Sequence, residues 1–150
     1  MQEIERKFLV DPAAWEAVEK PQPLKIAQGY LLTDPKKTVR VRIKGSKGFL
    51  TIKGKTQGIT RSEFEYEIPL SDAEELLRNF TDKALFKERY EIPYAGKIWE
   101  VDVFHGKLNG LVLAEIELQS EDEDFNKPIW ATKEVSSDPS YYNAVLIERC

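Results

Sequence analysis

One cysteine, one histidine and one methionine are all that 150 residues contain of those types. The only cysteine, Cys150, excludes an intramolecular disulfide and any thiolate metal cluster. His105 alone cannot anchor a histidine-based metal centre, and with no nucleophile patterned beside it, it reads as an ordinary strand-end histidine. No apolar run approaches the ~20 residues of a spanning helix. The opening "MQEIERKFLV" places acids where a secretory signal carries a basic and then an apolar segment. A soluble, cytoplasmic chain with no membrane partner is expected. The G-x-x-x-x-G-K-[ST] and G-x-G-x-x-G phosphate loops and the G-x-S-x-G nucleophile elbow are absent. Basic excess is absent too: 22 Lys and Arg stand against 26 Asp and Glu, a net charge of −4. That balance argues against a nucleic-acid partner gripped by a broad basic face, and leaves room for a small basic site within an acidic shell.

What the chain does have is charge of both signs, 32% of residues, above the usual quarter or so. With 41% hydrophobic residues it has material for one core, and residues 1–150 read as a single domain. Period-two alternation dominates and predicts eight strands. They lie near Gln2 to Val10, Leu24 to Thr33, Thr38 to Lys44, Phe49 to Lys55, Thr60 to Ile68, Leu85 to Pro93, Lys97 to Phe104 and Leu111 to Gln119. "KGSKG", "GKTQG", "YAGK" and "HGKLNG" supply turn residues for antiparallel hairpins. Short helices are expected after Asp11, a natural N-cap followed by Pro12, and at "SDAEELLRNF", where Ser71 and Glu74 have capping-box spacing. A weaker box, Ser120 with Glu123, suggests a third, and "DPSYYNAVLIE" a C-terminal helix capped by Asp138.

Side chains two apart share a strand face, so the alternation sorts the charges. One face carries Glu3, Glu5 and Lys7; then Arg40, Arg42 and Lys44; Lys53 and Lys55; Glu63, Glu65 and Glu67; Lys87 and Arg89; Glu100 and Asp102; Glu115 and Glu117. An antiparallel sheet wetted on one side produces polar alternation as well. Such a face usually mixes in Ser, Thr and Gln, whereas here ionisable groups occupy seven strands, with acidic and basic strands segregated. The fold class that fits is α+β, mainly β: a closed eight-stranded antiparallel β-barrel, charged inside and flanked by short helices on its apolar outside. Unpaired buried ions cost on the order of 5 kcal/mol or more, so such an interior must be wet and ready for a ligand. Clustered carboxylates suit a hard cation, Mg²⁺ or Mn²⁺, and clustered Arg and Lys suit phosphate oxygens. A chain of phosphates carrying a divalent ion uses both.

The motifs, in order, are E-x-E-x-K in "EIERKFLV", then "QGYL", "VRVRIK", "LTIKGK", "EFEYEI", "KERYEI", "WEVDVF", "LAEIEL" and "KEVSSDPSYYNAVL". In this order they resemble the triphosphate tunnel metalloenzymes, the CYTH superfamily of class IV adenylate cyclases and thiamine triphosphatases. The resemblance covers nearly the whole chain. It implies an eight-stranded tunnel that binds triphosphate and needs a divalent metal. By it, Glu3, Glu5, Glu115 and Glu117 would hold metal, while Lys7, Arg40, Arg42, Lys53, Lys87 and Arg89 would grip phosphate. Asp102, with Glu63, Glu65 and Glu100, would bind metal through water or balance basic side chains. Glu5 and Lys7 would act at the reacting centre. Tyr30 is a secondary candidate for ordering the attacking water, against a packed, hydrogen-bonded tyrosine. Lys133 is one for reaching a phosphate from the segment that plugs one end, against an exposed surface lysine. The expected reaction is hydrolysis of tripolyphosphate to pyrophosphate and phosphate. Class IV adenylate cyclase, thiamine triphosphatase with Trp99 as its one aromatic support, and a non-catalytic polyphosphate sensor stay open, as does the oligomeric state.

Overall fold

The computed structural model describes residues Met1–Cys150. Its strands are β1 (Gln2–Val10), β2 (Leu24–Asp34), β3 (Lys37–Lys44), β4 (Lys47–Gly54), β5 (Thr60–Ile68), β6 (Leu85–Tyr94), β7 (Lys97–Phe104), β8 (Val112–Glu117) and β9 (Ala131–Glu134). Sheet order is β5-β4-β3-β2-β6-β7-β8-β1-β9, and β1 also pairs with β5, which closes eight antiparallel strands into a barrel. The ninth strand was not among the eight expected. "ATKE" is four residues long, too short for its alternation to stand out, and it exists because β1 offers it an edge. Along that edge Gln2–Ile4 pair with β5, while Phe8 and Val10 pair with β9. In the gap between, Glu5 N donates to Ile59 O at 3.3 Å and Lys7 N to Ser136 Oγ at 2.9 Å.

Tight hairpins fix the register. At "YAGK" Tyr94 pairs with Lys97, and Ala95 and Gly96 both take positive φ, 49° and 83°, the backbone of a type I′ turn. Cross-strand partners share a face, so the pairs Lys7↔Glu115, Glu100↔Glu115 and Arg89↔Asp102 place the charged alternation inside.

The opposite parity builds an outer core of Phe8, Trp15, Trp99, Val101, Ile116 and Trp130. Helix α1 (Pro12–Glu16) delivers Trp15, and its start is as expected: Asp11 Oδ2 accepts from Ala14 N at 2.9 Å. Trp130 meets Trp15 and Trp99 edge-on, with centroids at 5.6 and 5.7 Å, contacts worth about 0.5–1.5 kcal/mol each beyond burial. Trp99 thus packs outside the barrel.

Helix α2 (Leu70–Asn79) lies against β3 and β4 so closely that a Cβ at Gly48 would sit 2.5 Å from that of Ala73. The Ser71–Glu74 capping box does not form. Pro69 follows β5 directly and turns the chain into the helix, leaving Ser71 inside the first turn. No helix forms at Ser120–Glu123 either: Ser120 Oγ donates to Asp122, and Glu123 accepts from Gln119 N and pairs with Lys97. Asp138 does cap, accepting from Ser140 N at 3.0 Å. Beyond it the chain forms a 3-10 turn (Pro139–Tyr141), a single α turn, α3 (Asn143–Leu146), and a second 3-10 turn (Ile147–Arg149), not one continuous helix.

The C-terminal segment plugs one end of the barrel, as the resemblance implied. Leu113 shares Asp102's face, Phe104 shares Lys87's and Leu85 shares Gln28's, so the interior turns apolar toward one end. Leu146, Ile147 and Val135 pack onto these side chains and stopper that end.

Candidate functional site

The remaining interior is a cavity of about 240 Å³, below the roughly 300–1,000 Å³ of pockets for drug-sized ligands. Of its nineteen lining residues, seven are acidic and seven basic, so its formal charge balances. The alternation of β1, β3, β4, β6 and β8 brings together Glu3, Glu5, Lys7, Arg40, Arg42, Lys53, Arg89, Glu115 and Glu117, and Lys44 lines it too. Sheet order sets the acids of β1 and β8 across the barrel from Arg40 and Arg42 of β3. Lys87 and Asp102 lie fully buried beneath the lining. Tyr30 packs against the apolar stopper and does not line the cavity. Lys133 is exposed on β9 and Lys55 lines a separate surface depression; neither lines the cavity.

Six lining residues escaped the sequence reading: Thr56, Ile59, Arg61, Ser136, Tyr142 and Asn143. Arg61 was within reach of it, since it has the parity of Glu63 and Glu65 and pairs with Glu3. The others come from turns and from the C-terminal segment, where no periodicity marks a face.

Asp102 joins two cations. Its oxygens accept from Arg89 Nε and Nη2 at 2.8 Å each, and Lys87 Nζ lies 2.7 Å away. Burial alone would raise the Asp102 carboxyl, but Arg89 and Lys87 hold it far below the usual carboxylate range. Burial pulls Lys87 down to about 7 despite Asp102. Lys53 Nζ reaches both Glu3 oxygens at 3.0 Å. Burial opposes the Glu3 charge, yet a hydrogen bond from Glu63 and the Lys53 ammonium keep it at about 2. Burial and that same hydrogen bond push Glu63 up to about 7. Glu5 and Glu115 form a second carboxyl pair. Burial and the charges of Glu115 and Glu3 raise Glu5 well above normal, whereas Glu115, despite burial, is held low by Lys7 and the Glu5 hydrogen bond.

No three acid or histidine side chains converge into a ready-made ion cage. The donor set still fits a hard divalent ion. Its donors are carboxylate oxygens, and Mg²⁺ is commonly held by one or two carboxylates, with waters and substrate phosphates completing the shell. The balanced lining points the same way, because a polyanion entering it brings negative charge that seven bases, already matched by seven acids, do not neutralise.

The CYTH domain profile matches residues 1–146. The chain belongs to the CYTH family. An inorganic triphosphatase of Acetivibrio thermocellus is 44% identical to this CYTH chain over 147 residues, 97% of this chain and 93% of the relative. Another, of Nitrosomonas europaea, is 37% identical over 152 residues, 97% of both. A crystal structure of an inorganic triphosphatase shares 34% identity and a TM-score of 0.66, covering 97% of this chain and 93% of that one.

Proposed function

We propose that this CYTH chain hydrolyses inorganic tripolyphosphate to pyrophosphate and phosphate with Mg²⁺ or Mn²⁺ as cofactor. The observation that carries this is the small, charge-balanced cavity whose acidic wall on β1 and β8 faces a basic wall on β3. The inorganic triphosphatases at 44% and 37% identity point to the same substrate. Only two lining residues are hydrophobic, which leaves little surface on which an adenine or thiamine ring would stack.

Lys7, Arg40, Arg42, Lys53 and Arg89 bind phosphate oxygens and neutralise the charge that spreads over the transferred phosphoryl group. Glu3, Glu5, Glu115 and Glu117 would hold the cation. When bound, such an ion supplies Lewis-acid charge neutralisation to the phosphates and to an attacking water. Asp102 keeps Arg89 and Lys87 in place, an ion-pairing role in preference to a ligand role. Lys87, buried beneath the lining against Asp102, adds its charge to the phosphate-binding wall when protonated. Tyr30, which packs on the stopper and does not line the cavity, is a secondary candidate to order the attacking water. Lys133, on the exposed side of β9, lies outside the cavity lining.

The test is phosphate release from tripolyphosphate, pyrophosphate, ATP and thiamine triphosphate, with Mg²⁺, Mn²⁺ or EDTA and a cyclic AMP readout. Metal-dependent release mainly from tripolyphosphate is expected. Cyclic AMP from ATP, or equal turnover of ATP and tripolyphosphate, would contradict the assignment.

A further inference from the structure

Six cations of the barrel interior are buried: Lys7, Arg40, Arg42, Lys53, Lys87 and Arg89. Five have a carboxylate within 4 Å, supplied by Glu115, Glu65, Glu3 and Asp102, the last serving both Lys87 and Arg89. Arg42 has none. Its Nε donates instead to the Gln28 carboxamide oxygen at 2.9 Å. Register explains the difference: Arg42 sits opposite Gln28 on β2 and Phe49 on β4, so neither adjoining strand brings a charge to it.

Gln28 is an odd choice for stability alone. It is fully buried, and its Nε2 has no hydrogen-bond partner. A glutamate of the same shape would give Arg42 a charge-assisted bond and remove the orphaned N–H donors. An amide does the opposite, aligning the guanidinium while leaving its charge uncompensated. Burial, Arg40 and Arg89 together draw Arg42 down to about 9, the direction expected of a cation lacking its anion, and leave it protonated at neutral pH.

We propose that Gln28 is a positioning and specificity residue, whose neutral carboxamide aims Arg42 and reserves its charge for a phosphate oxygen, so that Arg42 anchors the substrate anion. The proposal rests on the tripolyphosphatase reading for its substrate.

The experiment compares wild type, Gln28→Glu and Gln28→Met. Affinity is measured by calorimetry with Mg²⁺ and the methylene-bridged analogue of tripolyphosphate, whose P–C–P links resist hydrolysis; melting temperature and steady-state kinetics complete the set. Gln28→Glu is expected to bind the analogue about tenfold to a hundredfold more weakly while melting at a higher temperature, because the new carboxylate claims Arg42. Gln28→Met keeps the charge but loses its alignment, so kcat is expected to fall about tenfold with affinity changed by less than about threefold. Unchanged affinity in Gln28→Glu would overturn the proposal, as would affinity and melting temperature falling together in it, the signature of a merely structural glutamine. A wild type that binds the analogue but releases no phosphate from tripolyphosphate would remove the hydrolase reading, and the affinity comparison would still decide the role of Gln28.

Discussion

Lys53 Nζ lies 3.0 Å from both carboxylate oxygens of Glu3. One partner belongs to the set assigned to phosphate and the other to the set assigned to metal, so without ligands each satisfies the other. On the proposed reading, loading the cavity would be an exchange of partners: Glu3 would hold the divalent ion and Lys53 would bind a phosphate oxygen. Lys7 and Glu115 are a looser pair at 3.9 Å, since Lys7 Nζ donates to the Tyr141 carbonyl at 3.0 Å.

Removing one partner separates the two halves of that exchange. Glu3→Gln is expected to raise the Mg²⁺ concentration needed for half-maximal activity about tenfold or more. In EDTA, the freed Lys53 is expected to tighten tripolyphosphate binding several-fold, about the scale of one charge-assisted bond. Metal titration and calorimetry check both. A variant whose metal requirement and metal-free affinity match wild type would show that Glu3 is only a structural counter-ion.

Asp102 and Glu117 are expected to fail in opposite ways. Asp102→Asn strands Arg89 and Lys87 in a buried site, and breaking such a pair costs about 3–5 kcal/mol of stability. Glu117 is exposed at the cavity mouth. Glu117→Gln is expected to stay within about 0.5 kcal/mol of wild type while raising the metal requirement. Urea unfolding beside metal-dependent rates reads both, and equal stability losses would contradict the assignment.

Lys87 gives the pH dependence its sign. Its folded pKa of about 7 lies below the ordinary lysine value of 10.5, so between those limits the unfolded chain binds more protons and stability rises with pH. Phosphate affinity is expected to weaken over the same range, because Lys87 then loses the charge it adds behind Arg89. Melting curves and kcat/KM across pH 6 to 9, with Lys87→Met as reference, test this. A wild-type kcat/KM flat over that range, or parallel to that of Lys87→Met, would remove Lys87 from the phosphate-binding set.

Lys7 and Lys133 make a contrast on one short stretch of structure. Lys7 Nζ donates to the Tyr141 carbonyl at 3.0 Å and faces the cavity, while Lys133 is exposed on β9. Lys133→Ala is expected to leave kcat/KM within about twofold, as for an exposed, screened charge. Lys7→Met is expected to lower it about a hundredfold, because a phosphate contact and the tie to the C-terminal segment are lost together. A large loss in Lys133→Ala would bring the C-terminal strand into the substrate site.

Local periodicity made the barrel legible. Glu3, Glu5 and Lys7 share a face because of the pleat, and no tertiary information was needed to say so. Arg61 obeyed the same rule and could have been found by it. What stayed hidden depended on the chain meeting itself far along the sequence. β9 exists only because β1 has a free edge, and Ser136, Tyr142 and Asn143 reach the cavity only through the C-terminal stopper. Asp102's ion pairs were foreseen as one of two options, and register sets Arg89 directly opposite it. Ser71 and Ser120 show the limit of capping motifs: the spacing was present, but Pro69 and the Glu123–Lys97 pair captured the backbone and the side chain first.

The most direct test of the central claim is phosphorus NMR of tripolyphosphate incubated with the protein, with Mg²⁺ or Mn²⁺ in one arm and EDTA in the other. Pyrophosphate and orthophosphate are expected to appear in equal amounts, and only in the metal arm. An unchanged tripolyphosphate spectrum in that arm, or equal cleavage in EDTA, would contradict tunnel hydrolysis by a carboxylate-held ion.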